Sequence, residues 1–190
     1  MGRQHEVCQG RCLDAKIALV VQDANVVIRC ENEEERPAVR SVNLAAFGEV
    51  DEADLVDRLH HEGVVLLSLV AEVGRQIVGH ILFSRMWIDT ANGSISAAAL
   101  APMAVLPGHQ RQGVGGWLIR SGLDSLRDRG ERIVIVLGHP DYYSRFGFST
   151  EKVRALESPF PPHAFMAAEL SVNALGGICG KVRYPIAFGL

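Results

Sequence analysis

Apolar and polar positions change their rhythm along this chain, and each change marks an element. Residues 1–25 begin polar and lack clear periodicity, which reads as an N-terminal extension. Val26-Val27-Ile28-Arg29-Cys30 is a short β-branched run, a strand. Asn32 followed by Glu35 is the Asn-x-x-Glu start of a helix, with acids at the positive end of its dipole. Pro37 fits only the first turn of that helix, which runs to about Phe47 and stops at Gly48. A second helix covers residues 52–61 and ends at Gly63.

From residue 64 the pattern turns to strands. Residues 64–73 and 76–84 flank a Gly74-Arg75 turn, and Asn92-Gly93 joins Met86-Trp87-Ile88 to residues 95–105 as a hairpin. Together these runs make an antiparallel meander of three strands. A loop over residues 106–112 leads into a helix over 113–129, where Leu118, Gly122 and Leu126 share one face and Gly130 ends the element. Residues 132–137 are almost continuously apolar, as in a strand buried on both faces. A strand, helix and strand of this length form a right-handed crossover, so the strands on either side of the helix are expected to be parallel. A short helix over 141–146 and a last strand over 164–172 follow. The fold class is therefore α/β, mixed α+β. One domain spans residues 26–172, and a tail, 173–190, packs on it.

Composition narrows the function. A chain of 190 residues with 48% hydrophobic and 22% charged residues buries a full core without staples. A net charge of -3 argues against a general nucleic-acid binder. No apolar run approaches the roughly 18 residues of a membrane span, and residues 17–21 are too short for a signal core, which points to a cytoplasmic protein. Cys8, Cys12, Cys30 and Cys179 form no disulfide framework and meet no zinc spacing, so free thiols and no metal are expected.

The chemistry lies between Val105 and Leu118. A strand ends there, a polar Gly-rich loop follows, and a helix begins. Unpaired N–H groups at a helix start carry the positive end of the dipole and suit a phosphate or pyrophosphate, and glycines let the ligand approach the backbone. A P-loop needs Gly-Lys-Ser/Thr, but Gly113 is followed by Val114. The dinucleotide fingerprint needs a third glycine where Leu118 stands. The pattern that is met is Gln-x-x-Gly-x-Gly, by Gln110, Gly113 and Gly115. Downstream, Tyr143-Ser144-Arg145-Phe146-Gly147-Phe148 matches Tyr-x-x-x-Gly-Phe.

With these motifs in this order, residues 26–172 resemble the GNAT superfamily of acetyl-CoA-dependent N-acyltransferases, in a branch of bacterial members. The resemblance implies a central mixed, mostly antiparallel sheet with a splayed parallel strand pair flanked by helices. It implies that Met103, Ala104 and Val105 hold the acetyl-pantetheine arm. The pyrophosphate then falls to Gln110, Arg111, Gln112, Gly113, Val114, Gly115 and Gly116. A splay also suits Pro102, which cannot donate to a ladder. Tyr143 is the implied catalytic acid, protonating the departing thiolate after direct attack by a neutral amine; the alternative is that it only packs the short helix.

Residues 97–105 lack the carboxylate that some members use as a base, which leaves His80, Glu72, Asp89 and His109 as candidates beside a relayed proton with no dedicated base. Trp117 reads as core, Arg145 as a solvated helix face, and His60-His61 as favoured by a helix C-terminus. The implied acceptor is a primary amine of a small molecule or a peptide, walled by residues 48–51, the second helix and residues 158–163, with no nucleic acid or membrane as partner. The chain is expected to act as a monomer or homodimer. A catalytically silent acyl-CoA-binding sensor or interaction domain stays open as the alternative.

Overall fold

The computed structural model describes residues 19–21 and 26–190. The expected extension over 1–25 lies mostly outside the described residues. Its strand β1 (Leu19–Val21) pairs antiparallel with β2 (Val26–Cys30). A 3-10 turn (Glu33–Glu35) then opens α1 (Arg36–Phe47), with the Asn32 backbone N–H donating to the Glu35 carboxylate at 2.8 Å. Helix α2 (Asp51–Glu62) follows, and both helices stop on left-handed glycines, Gly48 and Gly63.

The meander consists of β3 (Val65–Val73), β4 (Gln76–Thr90) and β5 (Gly93–Val105), each pair antiparallel. Helix α3 (Val114–Asp128) crosses over to β6 (Ile133–Leu137), which lies parallel to β5 as the crossover argument requires. After α4 (Pro140–Tyr143) and its 3-10 continuation come β7 (Leu156–Glu157), β8 (Phe165–Glu169) and β9 (Gly180–Arg183). The strand order is β1-β2-β3-β4-β5-β6-β8, with β9 beside β4 and β7.

The tail does more than pack against the domain. Strand β4 is 15 residues long, and β3 covers it only as far as Ser84. Strand β9 takes over the exposed edge at Trp87–Asp89, so residues 164–172 do not hold the last strand. Only Val182 of β9 is buried, and the preceding stretch is rich in glycine, so the period-2 signal was too short to register.

Helix α3 covers one face of the sheet, with Leu118, Ile119 and Leu126 fully buried against Ile81 and Phe83. Helices α1 and α2 cover the other face through Val39, Val56 and Leu59 on Val70 and Leu82. No helix among the described residues is long and apolar enough to cross a membrane. Cys179 is a free, exposed thiol, whereas Cys30 is disulfide-bonded, so the expectation of free thiols does not hold there.

Candidate functional site

Strands β5 and β6 pair only from Ala98–Leu100 to Val134–Val136. Beyond Leu100, β5 stays with β4 and parts from β6. The register of β4 and β5 shifts between the pairs Phe83–Leu100 and Ile81–Met103, and Ala101 and Pro102 fall in that shift. Pro102 has no N–H to give, so a break in pairing costs least at this point. A wedge opens between the two strands.

The loop after β5 is fastened to the strand it leaves. Gln110 Nε2 donates to the Val105 carbonyl at 3.0 Å, and Gln112 Nε2 to the Gly108 carbonyl at 2.9 Å. Arg111 (φ 61) and Gly113 (φ 90) are left-handed, which turns the chain so that α3 starts with its N–H groups facing the loop. The resulting cavity, about 400 Å³, is lined by this loop, the first turns of α3 and the residues after β6.

Met103, Val105, Gln110, Arg111, Gly113, Gly115 and Gly116 of the anticipated set line it. Ala104 does not, because strand alternation turns it to the opposite face. Val114 is buried in the core, and Gln112 folds back on Gly108. Six lining residues lie outside the anticipated set: His109, Trp117, Arg120, Tyr142, Arg145 and Phe146. Arg120 and Arg145 place cations at its rim, with guanidinium carbons 5.1 Å from the Phe146 ring and 4.5 Å from the Tyr142 ring. Arg145 is thus more than a solvated helix residue. Trp117 is half-buried and serves both core and cavity, its ring passing close to Gly113. Helical periodicity marks Trp117 as core, and nothing in it reports that the ring's outer edge faces a hole.

A second cavity, about 570 Å³, continues into the wedge. Met103 and Tyr142 line both cavities and form their junction. Tyr143 lines the second one, and only 9% of it is exposed. Its ring packs edge-on to Tyr142 (5.2 Å) and Phe148 (5.7 Å). Burial pushes the Tyr143 phenol up to about 12, with the neighbouring Tyr142 adding to it, so the group stays protonated at neutral pH. The Tyr142 phenol is also raised by burial, while Arg145 and Arg120 pull it back.

The anticipated bases are held elsewhere. Glu72 is paired with Arg29 at 2.6 Å and Asp89 with Arg183 at 2.7 Å. His109 lines the first cavity, away from the wedge. His80 is wholly buried beneath α1. There the Asn43 amide donates to His80 Nδ1 (3.2 Å), His80 Nε2 faces Ser68 Oγ (2.9 Å), and Ser68 donates to the Glu31 carboxylate. His60 Nε2 is 3.4 Å from the same carboxylate, so its place at the helix end serves this contact rather than the dipole alone. Among the described residues, no group of three His, Cys, Asp or Glu side chains is placed to hold a metal.

The chain is similar in sequence and in fold to known proteins. The family described as "Acetyltransferase (GNAT) domain" matches residues 27–150. The chain is 33% identical over 162 residues to the uncharacterized N-acetyltransferase YhbS of Escherichia coli (strain K12), covering 84% of this chain and 96% of YhbS. It is 46% identical over 112 residues to YjhQ of the same strain, also an uncharacterized N-acetyltransferase, covering 58% of this chain and 62% of YjhQ. The crystal structure of Escherichia coli YhbS in complex with CoA superposes with a TM-score of 0.81 at 32% identity, over 88% of this chain and 93% of that one. A GNAT family acetyltransferase from Brucella melitensis in complex with acetyl-CoA gives 0.73 at 34% identity, over 87% and 99%. Read with the wedge, the loop and the crossover, these matches place the chain in the GNAT acetyltransferase family.

Proposed function

We propose that this protein transfers an acetyl group from acetyl-CoA to a primary amine. The observation that carries the reading is the pair of cavities meeting at Met103 and Tyr142. One is built for an anion and the other is apolar, as a two-substrate transfer requires. The residues fit the co-substrate. A Cβ at Gly115 would stand 2.6 Å from the Tyr142 hydroxyl and 3.2 Å from Met103 Sδ, so only glycine leaves the cradle open there. The N–H groups of Val114, Gly115 and Gly116, with Arg111, Arg120 and Arg145, answer a pyrophosphate.

Bound acetyl-CoA supplies the acyl group as a thioester. The wedge holds the amine beside it and excludes water, and the apolar lining favours the neutral amine that attacks. Tyr143, protonated throughout the neutral range, gives its proton to the departing sulfur, and the proton that the attacking nitrogen loses restores the phenol. A second assignment rests on a specific contact. Tyr142 lies at the junction with its hydroxyl against Gly115, which makes it the competing donor.

Gly116 gives a clean test of the cofactor site. A Cβ there meets Arg120 and Phe146 at an ordinary 3.5 Å, and its φ is not left-handed, so Gly116→Val keeps the fold while filling the cavity. Acetyl-CoA at about 100 times its Kd should add about 2.7 kcal/mol of stability to the parent protein. The variant should lose at least tenfold in affinity by calorimetry. Equal affinity in both proteins would remove the loop from the binding site. Tight acetyl-CoA binding with no thiol release on any amine would instead favour a sensor, a reading fed by the lack of a carboxylate in residues 97–105.

A further inference from the structure

The second cavity carries chemistry of its own. Six of its lining side chains are aromatic: Phe47, Tyr142, Tyr143, Phe160, Tyr184 and Phe188. Leu55, Leu100, Pro102, Ile135 and Leu137 fill in between them. Glu52, from the first turn of α2, is the single carboxylate of the lining. Its neighbours on the helix are occupied, since Arg40 bridges Asp54 at 2.6 Å and Asp57 at 2.5 Å. Glu52 itself forms no ion pair or side-chain hydrogen bond among the described residues. A half-buried carboxylate on an aromatic cavity, with no cation of its own, has charge complementarity to offer a ligand.

The aromatic wall is held in place before any ligand arrives. Glu62, at the end of α2, accepts hydrogen bonds from the backbone N–H groups of Ile186 (3.1 Å) and Ala187 (2.7 Å). Arg58 Nε donates to the Ala187 carbonyl at 2.9 Å. These bonds clamp the C-terminal 3-10 turn (Ile186–Phe188) to the helix that carries Glu52 and Leu55. Tyr184 then packs at 4.9 Å from Phe188 and edge-on at 5.5 Å from Phe160. A rigid wall of this kind binds a flat ring at low entropic cost.

We infer that the acceptor is an apolar primary amine carrying an aromatic ring on a short alkyl chain, with the ring against Phe160, Tyr184 and Phe188 and the amino group donating a hydrogen bond to Glu52. This rests on the acetyl-transfer reading. Sugars and peptides bring many hydroxyl or amide groups, and the polar side chains of the lining besides Glu52 are His139 and the hydroxyls of Tyr142, Tyr143 and Tyr184, so several of those groups would be left unpaired at a cost. Polyamines bring several cations to a single carboxylate.

The test uses the full chain and first measures acetyl-CoA binding by calorimetry. Thiol release is then followed with 2-phenylethylamine, spermidine, glucosamine and a Phe-Gly-Gly tripeptide. The expected result is a kcat/KM for 2-phenylethylamine at least tenfold above each of the others. Glu52→Gln and Tyr184→Ala should each raise its KM at least tenfold while the Kd of acetyl-CoA stays within twofold. Spermidine, glucosamine or the tripeptide matching or exceeding 2-phenylethylamine overturns the inference but leaves acetyl transfer standing. So does a normal KM in both variants. No release with any of the four amines, from a protein that binds acetyl-CoA, overturns the inference and favours the sensor. Failure to bind acetyl-CoA overturns the transfer reading itself.

Discussion

Tyr142 and Tyr143 are neighbours on one short turn, but the fold gives them different surroundings. Tyr143 is pinned between Phe148 and Gly138, where a Cβ would come within 2.4 Å of its ring. Tyr142 is half-buried, stacks under Arg145 and faces both cavities. If Tyr143 is the acid, Tyr143→Phe should slow the single-turnover rate by roughly 10²–10⁴-fold with little change in acetyl-CoA affinity. Tyr142→Phe should then remain within about threefold of the parent. The reverse result would move the acid to Tyr142. Spacing to Gly147-Phe148 marks Tyr143 in the sequence. Glu52, Tyr184 and Phe188 carried no such mark, because they come from two segments more than a hundred residues apart and meet only when the tail docks on α2.

Among the elements, α3 is the one on which both core and site depend. It lies so close to β4 that a Cβ at Gly122 would fall 2.3 Å from the Phe83 ring, and Phe83 is fully buried. Gly122→Ala should gain up to about 1 kcal/mol in helix propensity. The overpacking costs typically 1–3 kcal/mol, so the net change should be destabilising. Urea unfolding checks this, and an unchanged or raised midpoint would mean that Phe83 can yield. The run of Leu118, Gly122 and Leu126 showed which face of α3 turns inward. Periodicity reports direction and not distance, so it could not say that glycine is required there. Strand β9 escaped notice for a related reason: a four-residue strand is defined by the open edge it covers on β4, not by its own pattern.

For the whole molecule, the polar chain under α1 ties stability to pH. Burial is the main reason that the His80 imidazole is lowered from about 6.5 to about 4. Below pH 6.5 the unfolded chain takes up a proton that the folded protein refuses until about pH 4. Stability should therefore fall as pH drops through that window, by up to about 1.4 kcal/mol per pH unit. Burial raises the Glu31 carboxyl, but the Ser68 hydroxyl that donates to it and the His60 imidazole beside it outweigh that. Its net value is lowered, so it too loses stability on acidification. Urea midpoints at pH 7, 6 and 5 should decline, and His80→Gln should decline less steeply; parallel slopes would show that His80 is not the group responsible. The sequence alone determined what depends on neighbours along the chain. This covers the order of strands and helices from β2 to β6, the parallel pair around α3, the glycine-rich loop at Gln110 to Gly116, and the place of the tyrosine before Gly147-Phe148. These follow from periodicity, turn chemistry and helix-end electrostatics, which are local. Only the tertiary structure decided the splay beyond Leu100, the burial that separates two adjacent tyrosines, the His80 chain and the aromatic wall of the second cavity. Each depends on which distant residues share a small volume, and sequence spacing does not encode that distance.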